Sequence, residues 1–376
     1  MPYFELKNYF CLLFLFVLNK YKMRTTFFYL LLISALLTSC KKKDAKPTAE
    51  FDRVSMLNNY SDQLIIPGYA DLTTKMSALN QKAIDFSTNL DLSSLSTLKT
   101  QWKETYIAWQ KIKIYDFGPS LTAGIKKSLS FYPVDTAKIN TNVSNNVTNL
   151  GDANNQNTIG LDAIDYLLYH ADDNTILQEF SNVNRQNYLK NITAKMLTDV
   201  QSVKDGWSSY SATFKAASGN DANSSLSFMV NEFNKDYELI KNAKVGVPLG
   251  EQSLGIKRPE YIEARYSGIS FDLIIANLDG LTTFFQGGSG SGLDDYLNFL
   301  DKKVGDQLLS DNISGQLTSS SAKAASFSSS LENEIMNNDT EVKALYAQLQ
   351  GLVAEIKTDM PSAFGVFITY NDTDGD

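Results

Sequence analysis

Two cysteines and one histidine serve the whole 376-residue chain. Cys11 and Cys40 both sit near the N-terminus, so everything beyond residue 40 lacks a thiol. That excludes disulfides, a cysteine nucleophile and thiolate metal ligation there. With His170 as the sole imidazole, a His-Glu-x-x-His zinc site cannot be built, and a catalytic triad would have to use that one residue. His170 precedes Ala171-Asp172-Asp173, where a helical pattern runs out. The helix dipole favours imidazole at such an end, so capping is the expected role and metal ligation the alternative. Positive charge is also short, with 34 Lys and Arg against 42 Asp and Glu for a net charge of −8. An acidic chain is a poor partner for nucleic acid or anionic lipid and is compatible with cations or basic partners. Strictly alternating runs are nearly absent. Only Phe364 to Tyr370 could pass as a strand, and one strand does not make a sheet.

The N-terminus reads as a targeting device. Met23-Arg24 is a short basic region, and Phe27 to Leu37 is an apolar stretch too short for a comfortable membrane span. Leu37-Thr38-Ser39-Cys40 then resembles the lipobox of exported bacterial lipoproteins, with Cys40 as the lipidated residue. Residues 1–39 are expected to be a signal region with Met23 as the true start. A second apolar run, Phe10 to Leu18, precedes that start, and a membrane-spanning helical hairpin is the alternative for this region. Residues 40–50 form a polar tether. The expected location is the bacterial cell envelope, on the outer membrane or facing the periplasm, held to the membrane only through the lipid. Removing the signal region takes away Lys7, Lys20, Lys22 and Arg24 against Glu5, which leaves the remainder more acidic.

Beyond the tether, apolar residues recur at helical spacing. Leu98, Trp102, Tyr106, Trp109 and Lys113 form one stripe, and Tyr188, Ile192, Met196 and Val200 another. Further stripes are Leu226, Val230, Phe233, Tyr237 and Ile240; Leu297, Leu300, Val304 and Leu308; and Leu345, Leu349, Leu352 and Ile356. This predicts an all-α fold with helix-bundle cores. Pro67-Gly68 should kink the first long helix, and Gly118-Pro119 should end the second. Val134 to Asn157 reads as a long Asn-rich connection. Asn242 to Arg258 separates two helical halves, and Gly287 to Gly292 is a glycine-rich loop between helices. Such a length favours two packed units, approximately 51–243 and 259–370, followed by an acidic tail at 371–376. The tail's Asp372, Asp374 and Asp376 look faintly like a calcium loop but lack the later acidic ligand.

The segment from Gly160 to Leu168 concentrates the chemistry. Asp162 and Asp165 are three residues apart in an otherwise apolar helix, so both point the same way. Adjacent carboxylates repel unless one is protonated or a cation lies between them. Oxygen-only donors suit hard cations such as calcium, magnesium, manganese or ferric iron. Glu263, Ser267, Ser270 and Ile274 read as one mostly polar helical stripe that could supply further ligands. Arg265 lies off that stripe and could instead neutralise the Asp pair. Trp102 and Tyr106 could wall the site.

The same segment resembles the Gly-x-His-x-x-Glu motif of imelysin-like proteins, once classed with the M75 peptidases, with Asp162 in place of His and Asp165 in place of Glu. Other blocks follow in the family's order. Trp102 to Trp109 leads into Phe117-Gly118-Pro119, similar to the family's Phe-Gly-Pro turn. Phe131-Tyr132-Pro133-Val134-Asp135 resembles its Trp-Pro-x-Asp segment. Glu263 to Ser270, continued by Asn277 to Gly280, resembles its Glu-Ser-x-Phe-Ser-x-x-Ser segment. The resemblance implies two packed four-helix-bundle-like halves with the motif near their interface, and a cell-envelope role in iron or other metal-ion acquisition. The Asp-for-His replacement removes the imidazole that the family's zinc-peptidase assignment relied on, so a non-enzymatic protein is expected. Its expected metal residues are Asp162, Asp165, Glu263 and Ser267, with a hard cation, iron or calcium, or a metal chelate as ligand. The alternative is a module binding an envelope protein or a glycan, in which the Asp pair only orders the fold.

Overall fold

The computed structural model describes residues 50–370. The signal region, Cys40 with most of its tether, and the acidic tail lie outside them. The described chain is almost entirely helical. Its longer helices are α1 (Ile66–Thr88), α2 (Leu92–Ile112), α3 (Gly160–Tyr169), α4 (Val183–Ala216), α5 (Ser225–Glu238), α6 (Ser270–Gln286), α7 (Leu309–Ala325) and α8 (Thr340–Gly351). Among the described residues no helix is long and apolar enough to cross a membrane.

Local chemistry sets the helix starts. Asp91 accepts the Ser94 amide at 2.7 Å, and Ser94 reciprocates in a capping box at the head of α2. Asn182 and Ser224 cap α4 and α5 through their side-chain oxygens. Among the described residues, three π-helical turns interrupt or extend the helices, at Tyr60–Ile65, Leu239–Gly246 and Glu355–Asp359. Each stands just before a proline: Pro67, Pro248 and Pro361. A proline lacks the N–H and its ring crowds the carbonyl four residues back, and a wider turn relieves that conflict.

The long helices pack in series. Helix α1 lies between α4 and α2, α6 packs on both α2 and α7, and α7 packs on α8. The expected stripes on α2, α4 and α5 all face this core, with Trp102, Trp109, Tyr188, Ile192, Met196, Phe233 and Tyr237 buried. Each such side chain contributes about 1.5–3 kcal/mol by leaving water.

Several sequence expectations need correction. Leu297 to Leu308 is not one helix. A helix ends at Phe299, Asp301 takes a positive φ, and Lys303–Val304 pairs with Gln307–Leu308 in a short antiparallel hairpin around Gly305. The Asn-rich connection holds a helix at Thr136–Ser144, capped by Asp135, and a 3₁₀ turn at Ala153–Thr158. Helix α2 ends at Ile112, ahead of Gly118-Pro119, which instead opens a short helix at Pro119–Ala123. The segment Phe364 to Tyr370 pairs with no strand among the described residues.

Where α6 crosses the last turn of α2, only glycine fits. A Cβ at Gly280 would lie 2.4 Å from the Lys111 carbonyl oxygen. On propensity alone Gly→Ala inside a helix gains about 1 kcal/mol. Here overpacking should dominate, and Gly280→Ala is expected to destabilise by about 1–3 kcal/mol. Thermal unfolding checks this, and a raised Tm would contradict so close a crossing.

Candidate functional site

The site is built on α3. Ile159 is extended and Gly160 turns into the helix at φ +89°, where a Cβ would sit 2.8 Å from the Leu129 carbonyl oxygen. The Trp102 indole N–H donates to the Leu161 carbonyl at 3.0 Å, which fastens the first turn of α3 to α2. This leaves Asp162 and Asp165, 3% and 1% exposed, facing the segment before α6. That segment is a turn and not the expected helical stripe. Ala264 and Gly268 both take positive φ, and α6 starts only at Ser270.

Both motif carboxylates grip that turn. Asp165 accepts the Tyr266 and Ser267 amides, one on each oxygen, at 2.9 and 3.0 Å. Asp162 accepts the Ala264 amide at 3.3 Å, the Tyr106 hydroxyl at 2.9 Å and the Ser130 hydroxyl at 2.8 Å. Tyr106 also reaches Glu263 at 3.0 Å. A phenol has one proton to donate, so two buried carboxylates compete for it. Glu263 further accepts Gln110 at 2.8 Å and pairs with the buried Lys244 ammonium at 2.7 Å. Lys244 in turn donates to the Gln110 amide oxygen at 2.7 Å.

Burial disfavours every charge here, and neighbours decide which survive. Burial and then the Glu263 charge push Asp162 up to about 7, against the hydrogen bonds from Ser130 and Tyr106. Burial pushes Asp165 up to about 6, against its bonds to Ser267 and Tyr266. Burial also opposes ionisation of Glu263, but Lys244 and Lys113 outweigh it and hold its carboxyl below the usual range. Lys244 is brought down to about 8, burial prevailing over the pull of Glu263. Glu263–Lys244 is therefore the ionised pair at neutral pH, and Asp162 is poised to carry a proton beside it.

A cleft of about 230 Å³ opens over this floor, lined by Asp162, Asp165, Glu260, Arg265, Tyr132 and Tyr266 among others. The structure thus brings Asp162, Asp165 and Arg265 together at the cleft. Arg265 makes a two-point bond to Glu332, at 2.9 and 2.6 Å, in place of neutralising the Asp pair. Tyr106 and Glu263 lie beneath Asp162. Trp102 stands behind Tyr106, edge-on to its ring. Ser267 meets Asp165 through its backbone, while its hydroxyl donates to the Ala264 carbonyl. Cys40 lies outside the described residues. His170 caps the end of α3, with its ring against the Tyr166 carbonyl and Glu179. Sequence reasoning missed Lys244, Gln110, Ser130 and Glu260. Gln110 was detectable four residues after Tyr106, on the same face of α2; Lys244 carried no signal.

A peptidase-type zinc ion does not fit these residues. There is no thiolate, the lone imidazole is engaged elsewhere, and the Lys244 ammonium sits against Glu263 where a metal would need that oxygen. Among the described residues no group of three or more His, Cys, Asp or Glu is placed to hold a metal ion.

The fold and cleft together define a helical protein whose motif helix is clamped onto a distant turn. The imelysin family profile, Peptidase_M75, matches residues 65–358, and the chain belongs to that family. Two solved structures share the fold. A candidate iron-regulated protein A precursor from Parabacteroides distasonis ATCC 8503 aligns with a TM-score of 0.73 at 19% identity, covering 86% of this chain and 97% of its own. An imelysin-like protein from Psychrobacter arcticum 273-4 aligns with a TM-score of 0.67 at 17% identity, covering 85% and 97%. No curated protein matches the chain by sequence.

The raised carboxyls make stability depend on pH. A carboxyl whose folded pKa exceeds its unfolded value binds more protons when folded, so its contribution falls as pH rises between the two values. From Asp162 and Asp165 that window runs from the ordinary value of 3.8 to about 7. Asp162→Asn is expected to flatten the loss of stability between acid and neutral pH, measured by urea unfolding across that range. An unchanged slope would contradict a desolvated Asp162. Lys244→Met should cost about 3–5 kcal/mol by stranding Glu263, and Lys244→Met/Glu263→Gln should recover much of it in the same assay.

Proposed function

We propose that this chain is a non-enzymatic, lipid-anchored cell-envelope protein of iron or other metal-ion acquisition. In this reading its cleft receives a cation or a metal-bearing ligand over Asp162 and Asp165. The observation that carries it is the cleft floor itself: two adjacent buried carboxyls, both pushed up by burial, with Glu260 at the same cleft. An incoming cation would favour the ionised state of both carboxyls. The donors are all oxygen, which suits hard cations. They are fewer than the six to eight oxygens that calcium takes, so a cation arriving with ligands of its own, as in a chelate, suits the cleft better than a bare ion. The iron-regulated description of one similar structure points the same way. Cys40 would tether the protein, and the cleft would lie where the two bundle-like halves, about 51–243 and 259–370, meet. The missing imidazole is the reason to leave peptidase chemistry out.

A second reading rests on the same bonds. Every oxygen of Asp162 and Asp165 already accepts a donor from the fold. The pair could therefore serve structure alone, while the aromatic rim binds a protein or glycan.

Thermal unfolding of the full chain with ferric citrate, calcium, manganese or zinc separates the two. Under the first reading ferric citrate or calcium raises Tm, by the equivalent of about 2.7 kcal/mol at a hundredfold excess over Kd. The shift disappears in Asp162→Asn/Asp165→Asn and weakens as pH falls from 8 towards 5, because protons compete for the same oxygens. No shift with any ion, together with a double variant as stable as the parent, would leave the structural reading standing.

A further inference from the structure

A second cavity of about 220 Å³ lies on the other side of Ser130 and Tyr132. Trp109, Phe131, Tyr132 and Leu239 give it apolar walls, and Lys113, Lys126 and Glu263 give it charge. Lys126 is matched by Glu232 at 3.1 Å and Asp116 at 3.4 Å. Glu263 is matched by Lys244. Lys113 is different. It is 8% exposed and lines the cavity, yet no hydrogen bond to its ammonium forms among the described residues, and the one carboxylate oxygen in ion-pair range, from Asp236, is 3.5 Å away. That Asp236 oxygen accepts no hydrogen bond either, while its other oxygen is taken by Asn277 at 2.6 Å.

An ammonium carries three donors, and ion pairing to Asp236 at 3.5 Å leaves those of Lys113 without a close acceptor among the described residues. Lys113 thus offers unused donors to whatever enters the cavity. Lys126 is already matched by Glu232 and Asp116, and Lys244 offsets the negative charge of Glu263, so Lys113 is the cation on this lining with donors to spare. A dry cavity of about 150 Å³ holds benzene, so this one has room for a ring and a carboxylate.

We infer that this cavity is a binding site for a small monocarboxylate with a ring-sized apolar body, its carboxylate on the Lys113 ammonium and its ring against Trp109, Phe131 and Tyr132. The cavity shares the Tyr132 wall with the cation cleft, but the inference does not rest on the reading of that cleft.

Isothermal titration of the full chain with benzoate, benzamide and benzylamine tests this. Benzoate is expected to bind one per chain, more tightly than benzamide, and benzylamine not at all. Lys113→Met should weaken benzoate at least tenfold, and Lys113→Arg should retain most of the binding. Ala243→Leu, which fills the cavity and leaves the lysine in place, should abolish binding, so the proposal does not hang on one variant folding. No heat from benzoate into the millimolar range would overturn it, as would binding that survives both Lys113→Met and Ala243→Leu. Lys113 would then serve only Asp236.

Discussion

Two desolvated carboxylates that need donors govern the centre of this molecule. Asp162 and Asp165 are almost wholly withdrawn from water, and besides the hydroxyls of Tyr106 and Ser130 on Asp162 they take their hydrogen bonds from backbone amides of residues 264–267, about a hundred positions along the chain. Unpaired, each would carry a large desolvation penalty. The positive φ of Ala264 and Gly268 belongs to the turn that aims the consecutive Tyr266 and Ser267 amides at Asp165. The same turn runs into the start of α6 at Ser270 and lines the cleft through Ala264, Arg265 and Tyr266.

The buried charges next to it are arranged by rank. Glu263 has a dedicated ammonium in Lys244 and remains ionised, whereas Asp162 has only hydroxyls and an amide and is pushed towards neutrality. Tyr106 and Ser130 touch both carboxyls, so a proton gained by one alters the hydrogen bonding of the other. Buried ion pairs often add little net stability. What this pair supplies is a defined charge state beside a group poised to change its own.

Much of the fold was legible because its helices carry apolar stripes of the right period, and α2, α4 and α5 bury the residues that the period picks out. Where the pattern misled, local backbone chemistry overrode it. Leu297 to Leu308 has helical spacing, but Asp301 and Gly305 turn the chain into a hairpin. Glu263 to Ser270 also has helical spacing, but the Asp clamp requires a turn. The helix at Thr136–Ser144 hid in an Asn-rich stretch because only Ile139 and Val143 mark its buried face. At the site, the Gly-x-Asp-x-x-Asp segment and Glu263 were readable as chemistry. Lys244 was not, since nothing about a lysine between turn-forming residues says that its ammonium is buried.

The coupling of prolines to π-helical turns has a consequence for how this architecture can change over time. A π-helical turn is an α-helix with one residue to spare, and one residue is about 100° of rotation about the axis. Lys244 stands within the wide turn Leu239–Gly246, upstream of Pro248. Loss of one residue there would restore ordinary winding, bring back the crowding by Pro248 that the wide turn relieves, and swing the lysine off Glu263. A single-codon deletion there would therefore cost the helix its fit to Pro248 and Glu263 its ammonium in one step, so the wide turn and the buried ion pair are kept or lost together.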